Sequence, residues 1–197
     1  MSLELWEWRR RMADLYAAAR DAGAGEAGWS AWRAGREELF AANPQSPLGA
    51  GAALAWFGYD PAWRVAGVVS ASESVSASAW RTEEGVFSRL GSVEFTAPHG
   101  LGRAELAVWW LDAYAGGAFV PFRDSTAGRE TYGGGRYLID SAKGADLGSA
   151  GDRVVLDFNY AYHPSCAYDP RWACPLAPAE NRLGFAVAAG ERLSLSP

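Results

Sequence analysis

Asp157 and Asn159 stand two residues apart at the end of the apolar run Val154-Val155-Leu156. A carboxylate held by a strand can serve as a general acid or base. In extended backbone, Asp157 and Asn159 share one face while Leu156, Phe158 and Tyr160 share the other. A polar face on a strand that should be buried points to a barrel lumen or a cleft, and burial would raise the Asp157 pKa. Asp157 is therefore the candidate catalytic residue. The rival reading pairs it with Arg123 or Arg136 and gives it only the task of ordering the barrel end.

A second constellation lies upstream, in FRDSTAGRETYGGGRYL. Arg123 and Asp124 end one apolar run, and Thr131, Tyr132, Arg136 and Tyr137 begin the return. Arginine offers planar, bidentate donors, so Arg123 and Arg136 could clamp a carboxylate or another anion. The structural alternative is a locked turn, with Asp124 accepting from turn N–H groups and Arg123 paired to Glu130. Gly133-Gly134-Gly135 would allow close backbone approach but lacks the Lys-Ser/Thr ending of a phosphate loop. The candidate ligand-binding set is Arg123, Asp124, Thr131, Tyr132, Arg136, Tyr137, Asn159 and Tyr162, with tyrosines and tryptophans as aromatic walls. Arg123, Arg136, Asp157 and Asn159 are expected in one cluster at one end of the β structure.

The third constellation is His163, Cys166 and Cys174. Pro164, Pro170 and Pro175 restrict this loop and should bring the two cysteines together. A disulfide, a pair of free thiols and a Cys166 nucleophile activated by His163 all fit the pattern. A metal site, with Asp157 as a fourth ligand, would need H-x2-C-x7-C spacing to serve without a C-x-x-C hook, so no metal and no other cofactor is assigned. Ser46, in Ser46-Pro47-Leu48, reads as structural. There is no G-x-S-x-G elbow, and only His99 and His163 could complete a serine triad.

The elements that must position these groups are mostly strands. Apolar alternation marks Trp63–Ala66, Val75–Trp80, Val86–Phe95, Ala104–Asp112, Ala118–Phe122, Arg136–Ile139, Val154–Asn159 and Leu183–Ala188. Glycine and proline turns separate them, and no helical pattern intervenes. The fold class is thus α+β: an antiparallel β-barrel or bent β-sandwich of about eight strands, behind two N-terminal helices. The first helix carries the stripe Leu5, Trp8, Met12, Leu15 and Ala19, with Ser2 as N-cap. After a break at Gly23–Gly28, the second runs from about Ser30 to Ala42, with Trp32, Leu39 and Phe40 inward. Asn43-Pro44 ends it.

At 197 residues the chain reads as one domain, a helical segment over 1–42 and a β segment over 53–197. A net charge of −5 argues against a nucleic-acid backbone as partner. No apolar run reaches the roughly 18 residues of a membrane span. The N-terminus has acids and tryptophans ahead of its basic run, unlike a signal peptide, so a cytoplasmic location with reduced cysteines is expected.

The order FRDSTAGRETYGGGRYL, LDFNYAYHPSCAY, CPLAPAENRL resembles a bacterial family catalogued as domain of unknown function 1684, as do NPQSPL and FGYDPAWRV upstream. A typical relative is expected to carry His at position 43 and Asn at position 163, where this chain has Asn43 and His163. The resemblance implies the fold and the place of the site, and no reaction. The expectation is a small-molecule-binding protein whose ligand presents a carboxylate or other polar group, with no nucleic-acid or membrane partner. The alternative is a structural or interaction module whose polar cluster only orders loops.

Overall fold

A computed structural model describes residues 3–49, 51–71 and 79–194. The chain opens with a helical hairpin, α1 (Leu3–Ala22) and α2 (Glu26–Ala42). Glu4 in the first turn and Arg20 in the last complement the α1 dipole. Arg20 also donates to the Asp146 carbonyl at 2.8 Å, tying the helix end to a loop. The stripe buries Met12 and Ala19 as expected, together with Tyr16. Helix α2 starts a turn earlier than its sequence pattern suggests, with Gly28 inside it. Asn43 before Pro44 is extended (φ −87, ψ 131) and ends it. The helices touch closely at Gly35, where a Cβ would lie 2.4 Å from Leu15 Cδ2.

The strands follow: β1 (Ala55–Trp56), β2 (Arg64–Ala71), β3 (Ala79–Thr82), β4 (Gly85–Ala97) and β5 (Gly102–Leu111), then β6 (Ala118–Phe122), β7 (Arg136–Asp140), β8 (Ser149–Ala150), β9 (Arg153–Asp157) and β10 (Glu191–Arg192). Eight form an antiparallel sheet in the order β7-β6-β5-β4-β2-β9-β8, with β3 beside the first half of β4. The sheet curls into a half-barrel. Its β7 edge is met at Tyr162, which exchanges two backbone hydrogen bonds with Tyr137 at 2.8 and 3.1 Å. The expected bent sheet of about eight strands with two N-terminal helices is therefore present. Two expected strands differ, one absent and one shortened. Leu183–Ala188 has no ladder partner among the described residues and runs as a strap, bent at Gly184 and Phe185, that leads to β10, which pairs with β1. Strand β9 stops at Asp157 because Phe158–Tyr160 turns as a 3-10 helix. Most of the Val75–Trp80 run, and the Ser2 cap, lie outside the described residues.

Strand alternation feeds two cores. Leu106, Val108, Val120, Phe122 and Leu138 face one core with Phe158 and Val187. Ala107, Trp109, Phe119 and Tyr137 face the other, under Trp29, Trp32 and Leu39 of the helices. In β4 the register slips by one residue between Arg89 and Gly91. That bulge moves the strand's buried side chains from the helix-side core at Phe87 to the opposite core at Val93. Trp32, 2% exposed, sits 4.7 Å from the Tyr160 ring and joins hairpin to sheet; truncating it to Ala would cost about 3–5 kcal/mol. Among the described residues no helix is long and apolar enough to cross a membrane.

Candidate functional site

Strands β6 and β7 form the expected hairpin around the 123–135 turn. Arg136 points inward, 1% exposed, and makes four hydrogen bonds. They run to Asp124 Oδ2 at 3.1 Å, the Val187 carbonyl at 2.8 Å, the Glu191 carbonyl at 3.2 Å and the Ala189 carbonyl. Asp124 also accepts from the Val187 N–H at 2.6 Å and the Thr126 hydroxyl at 2.7 Å, and Thr126 bonds Thr131 at 2.8 Å. Arg136 thus clasps the C-terminal strap. Gly190 makes this possible: its φ is +79, and a Cβ there would lie 2.5 Å from the Ala161 carbonyl oxygen. The expected Arg123–Glu130 pair is absent among the described residues. Arg123 instead uses its backbone, accepting from Leu183 N at 2.7 Å and donating to Asn181 O at 2.8 Å.

Asp157 pairs with neither Arg123 nor Arg136. Its partner is Arg64, directly opposite on β2, at 3.1 Å. Its other oxygen accepts from the Asn159 N–H at 3.1 Å and Nδ2 at 2.8 Å, capping the 3-10 turn. Burial pushes the Asp157 carboxyl up, against the pull of Asn159 and Arg64. Asn159 is fully committed as well. It accepts from Asp60 N at 3.0 Å, donates to Asp60 O at 2.9 Å, and its carbonyl takes the Trp29 indole N–H at 2.9 Å. Because the chain turns at Phe158, the strand alternation that put Asp157 and Asn159 on one lumen face does not apply. The single cluster expected for Arg123, Arg136, Asp157 and Asn159 is two separate networks, joined by no hydrogen bond or ion pair among the described residues.

The proline-rich loop folds back as expected. Cys166 and Cys174 are side by side as free thiols, with Cys166 N–H donating to Cys174 Sγ at 3.4 Å. Cys166 Sγ reaches the Tyr132 hydroxyl at 3.7 Å. Burial pushes the Cys174 thiol up to about 12. His163 is buried, and burial lowers it to about 4, so the ring is neutral at pH 7. Its Nε2 accepts the Tyr132 backbone N–H at 3.1 Å, which leaves the proton on Nδ1. Nδ1–H then faces the Tyr168 oxygen at 3.3 Å, and the Tyr168 hydroxyl donates to Glu191 Oε2 at 2.8 Å. Both ring nitrogens are engaged, and neither contacts Cys166. Among the described residues no three His, Cys, Asp or Glu side chains are grouped so as to hold a metal ion.

This chain of bonds leads to Arg36, a residue the sequence reading passed over. Glu191 Oε1 accepts from Arg36 Nε at 2.7 Å, and the two side chains are 0% and 2% exposed. Glu191 Oε2 also takes the His163 backbone N–H at 2.7 Å. Burial works against the Arg36 charge, but Glu191 and Tyr16 outweigh it and raise its pKa. The guanidinium carbon lies 4.4 Å from the Phe40 ring centre and 4.8 Å from that of Tyr162. Among the described residues, Arg36 Nη1 meets only the Met12 sulfur, at 3.7 Å, and Nη2 has no hydrogen-bond partner. One signal was available in the sequence. Trp29, Trp32, Arg36, Leu39 and Phe40 follow helical spacing, so an arginine stands within the apolar stripe of α2.

Arg36 and Met12 line a cavity of about 180 Å³ between the helical hairpin, β7 and the 163–174 loop. Trp8, Phe40, Tyr137 and Tyr162 form aromatic walls, with His163 and Cys174 beside them. Tyr137 spends its hydroxyl on the Pro175 carbonyl at 2.7 Å, so its ring, not its donor, faces the space. Lys143 closes one side, held by Asp140 at 2.9 Å and Glu84 at 3.5 Å. Burial opposes the Lys143 charge, and the two carboxylates outweigh it, leaving the ammonium raised. Of the sequence-derived candidates, Tyr137, Tyr162 and Cys174 lie in this wall; Arg123, Asp124, Thr131, Tyr132, Arg136, Asp157, Asn159 and Cys166 do not. A second, wider depression of about 360 Å³ has Val69, Val93, Val108, Val120 and Ile139 on its apolar side and Asp146, Asp152 and Arg153 among its polar lining.

Residues 52–192 match a family described as "Protein of unknown function (DUF1684)", which covers well over half of the chain, and the chain belongs to it. It is also similar to an uncharacterized protein of Haloarcula marismortui with a solution NMR structure. The two are 33% identical, over 85% of this chain and 94% of that one, with a TM-score of 0.62. No curated protein matches.

Proposed function

We propose that this protein binds a small organic molecule carrying a polar group, in the cavity between the helical hairpin and the half-barrel. One observation carries the reading: a space of about 180 Å³ walled by aromatic rings and edged by a buried arginine. Pockets for small ligands combine apolar walls with a few convergent polar groups in this way. The volume sets the size. A cavity of about 150 Å³ accepts benzene, so one ring with a short substituent fits here. On this reading Arg136, Asp124, Asp157 and Asn159 hold the walls in place from a distance. A net charge of −5 speaks against nucleic acid as the partner, and a cytoplasmic location with reduced thiols is part of the same proposal.

Ligand-observed NMR with a panel of one-ring compounds at about 1 mM tests it. Members of the panel should bind, and Ser165→Trp, which places an indole at the cavity wall, should abolish that binding. A panel with no binder, or binding indifferent to Ser165→Trp, would sink the proposal.

A further inference from the structure

We infer that the ligand of this cavity is a single-ring carboxylate, received end-on by Arg36; this rests on the cavity being a binding site. Arg36 is 2% exposed and lines the cavity with Met12. Its guanidinium has two working edges. The Nε side is occupied by Glu191 Oε1 at 2.7 Å. The opposite end carries Nη1, whose contact is the weak acceptor sulfur of Met12 at 3.7 Å, and Nη2, which has no partner. A buried N–H without an acceptor is costly, and a carboxylate that displaces the Met12 thioether would supply two oxygens at the geometry of that edge.

The Glu191 charge does not compete for that edge. Its oxygens already receive Arg36 Nε, the His163 N–H at 2.7 Å and the Tyr168 hydroxyl at 2.8 Å. A second anion on Arg36 would therefore meet a guanidinium with free donors, across from a carboxylate that is itself well solvated by protein groups. Of the other two cations that line the cavity, Lys143 is already held by Asp140 and Glu84 and Arg9 is exposed, which leaves Arg36 as the buried cation with spare donors. Tyr162 and Phe40, the rings closest to the guanidinium, would flank a planar ring attached to the bound carboxylate.

Calorimetric titration of the full chain with benzoate, its neutral analogue benzamide, and toluene tests the inference. Benzoate should bind at least tenfold more tightly than benzamide. In Arg36→Lys, which keeps a cation for Glu191 but loses the planar fork, that preference should vanish while the melting profile stays cooperative. Should Arg36→Lys fail to fold, arginine side-chain ¹⁵N spectra of the unmodified protein give the same answer, because benzoate should shift one buried guanidinium and benzamide should not. Toluene and benzamide binding as well as benzoate would overturn the carboxylate assignment and leave the cavity proposal standing. A benzoate preference that survives Arg36→Lys would overturn it too, since the charge would then be read elsewhere. Failure of all three compounds to bind would remove both proposals.

Discussion

Arg136 and Arg36 are both buried to within 2% of full enclosure, and both pair with a carboxylate, yet they are built for different ends. Arg136 adds three backbone carbonyls to its Asp124 contact. Arg36 adds aromatic faces, a thioether and an unpartnered Nη2. Burial wins at Arg136 and lowers its pKa, while Glu191 and its neighbours win at Arg36 and raise it. The contrast teaches that a buried arginine indicates a site only when its donors exceed its acceptors. A saturated one, such as Arg136, is a fastener for the strap that ends in Glu191.

The comparison breaks most visibly if the same change is made at both positions. Arg136→Lys should cost about 3–5 kcal/mol in urea unfolding, because one ammonium cannot serve Asp124 and three carbonyls at once. Arg36→Lys should cost clearly less, about 1 kcal/mol, since Glu191 keeps a cation and two other donors. Equal losses would erase the distinction.

A second test uses the group that links the Glu191 end of this network to the proline-rich loop. His163 is held neutral at about 4, against 6.5 when unfolded. Between those values the unfolded chain binds the extra proton, so stability is fully present above pH 6.5 and falls as the pH drops toward 4, by up to about 3 kcal/mol. Unfolding measured across that range should show the decline, and His163→Asn, whose amide can accept from Tyr132 and donate to Tyr168, should flatten it. An unchanged slope in His163→Asn would place the titration elsewhere.

Asp157→Asn sharpens the assignment of the two polar networks. Arg64 keeps 22% of its side chain in solvent and can be hydrated when its partner loses charge. The loss should be about 1–3 kcal/mol, with one-ring ligand binding unaltered because Asp157 is outside the cavity wall. Ligand binding lost without a fall in stability would return Asp157 to the site. The smallest effect concerns the thiols. With burial holding Cys174 at about 12, its alkylation at neutral pH should be far slower in the folded protein than in urea, and Cys174→Ala should cost about 1 kcal/mol. Equal rates in both states would mean that the loop does not shield it.

Local pattern determined much of this protein. The helical stripe from Trp32 to Phe40, the stop at Asn43-Pro44, and the alternation through Ala104–Asp112 and Ala118–Phe122 each follow from spacing alone, because helix and strand periodicity decide which side chains a core can take. The β6–β7 turn and the meeting of Cys166 with Cys174 were likewise legible, since prolines and glycines constrain short loops directly. What spacing could not supply was partnership across long separations. Asp157 meets Arg64 because β2 and β9 pair, and Arg36 meets Glu191 across 155 residues because β10 pairs with β1. Whether a buried charge is saturated or spare depends on acceptors delivered by distant strands, and only the tertiary structure counts them.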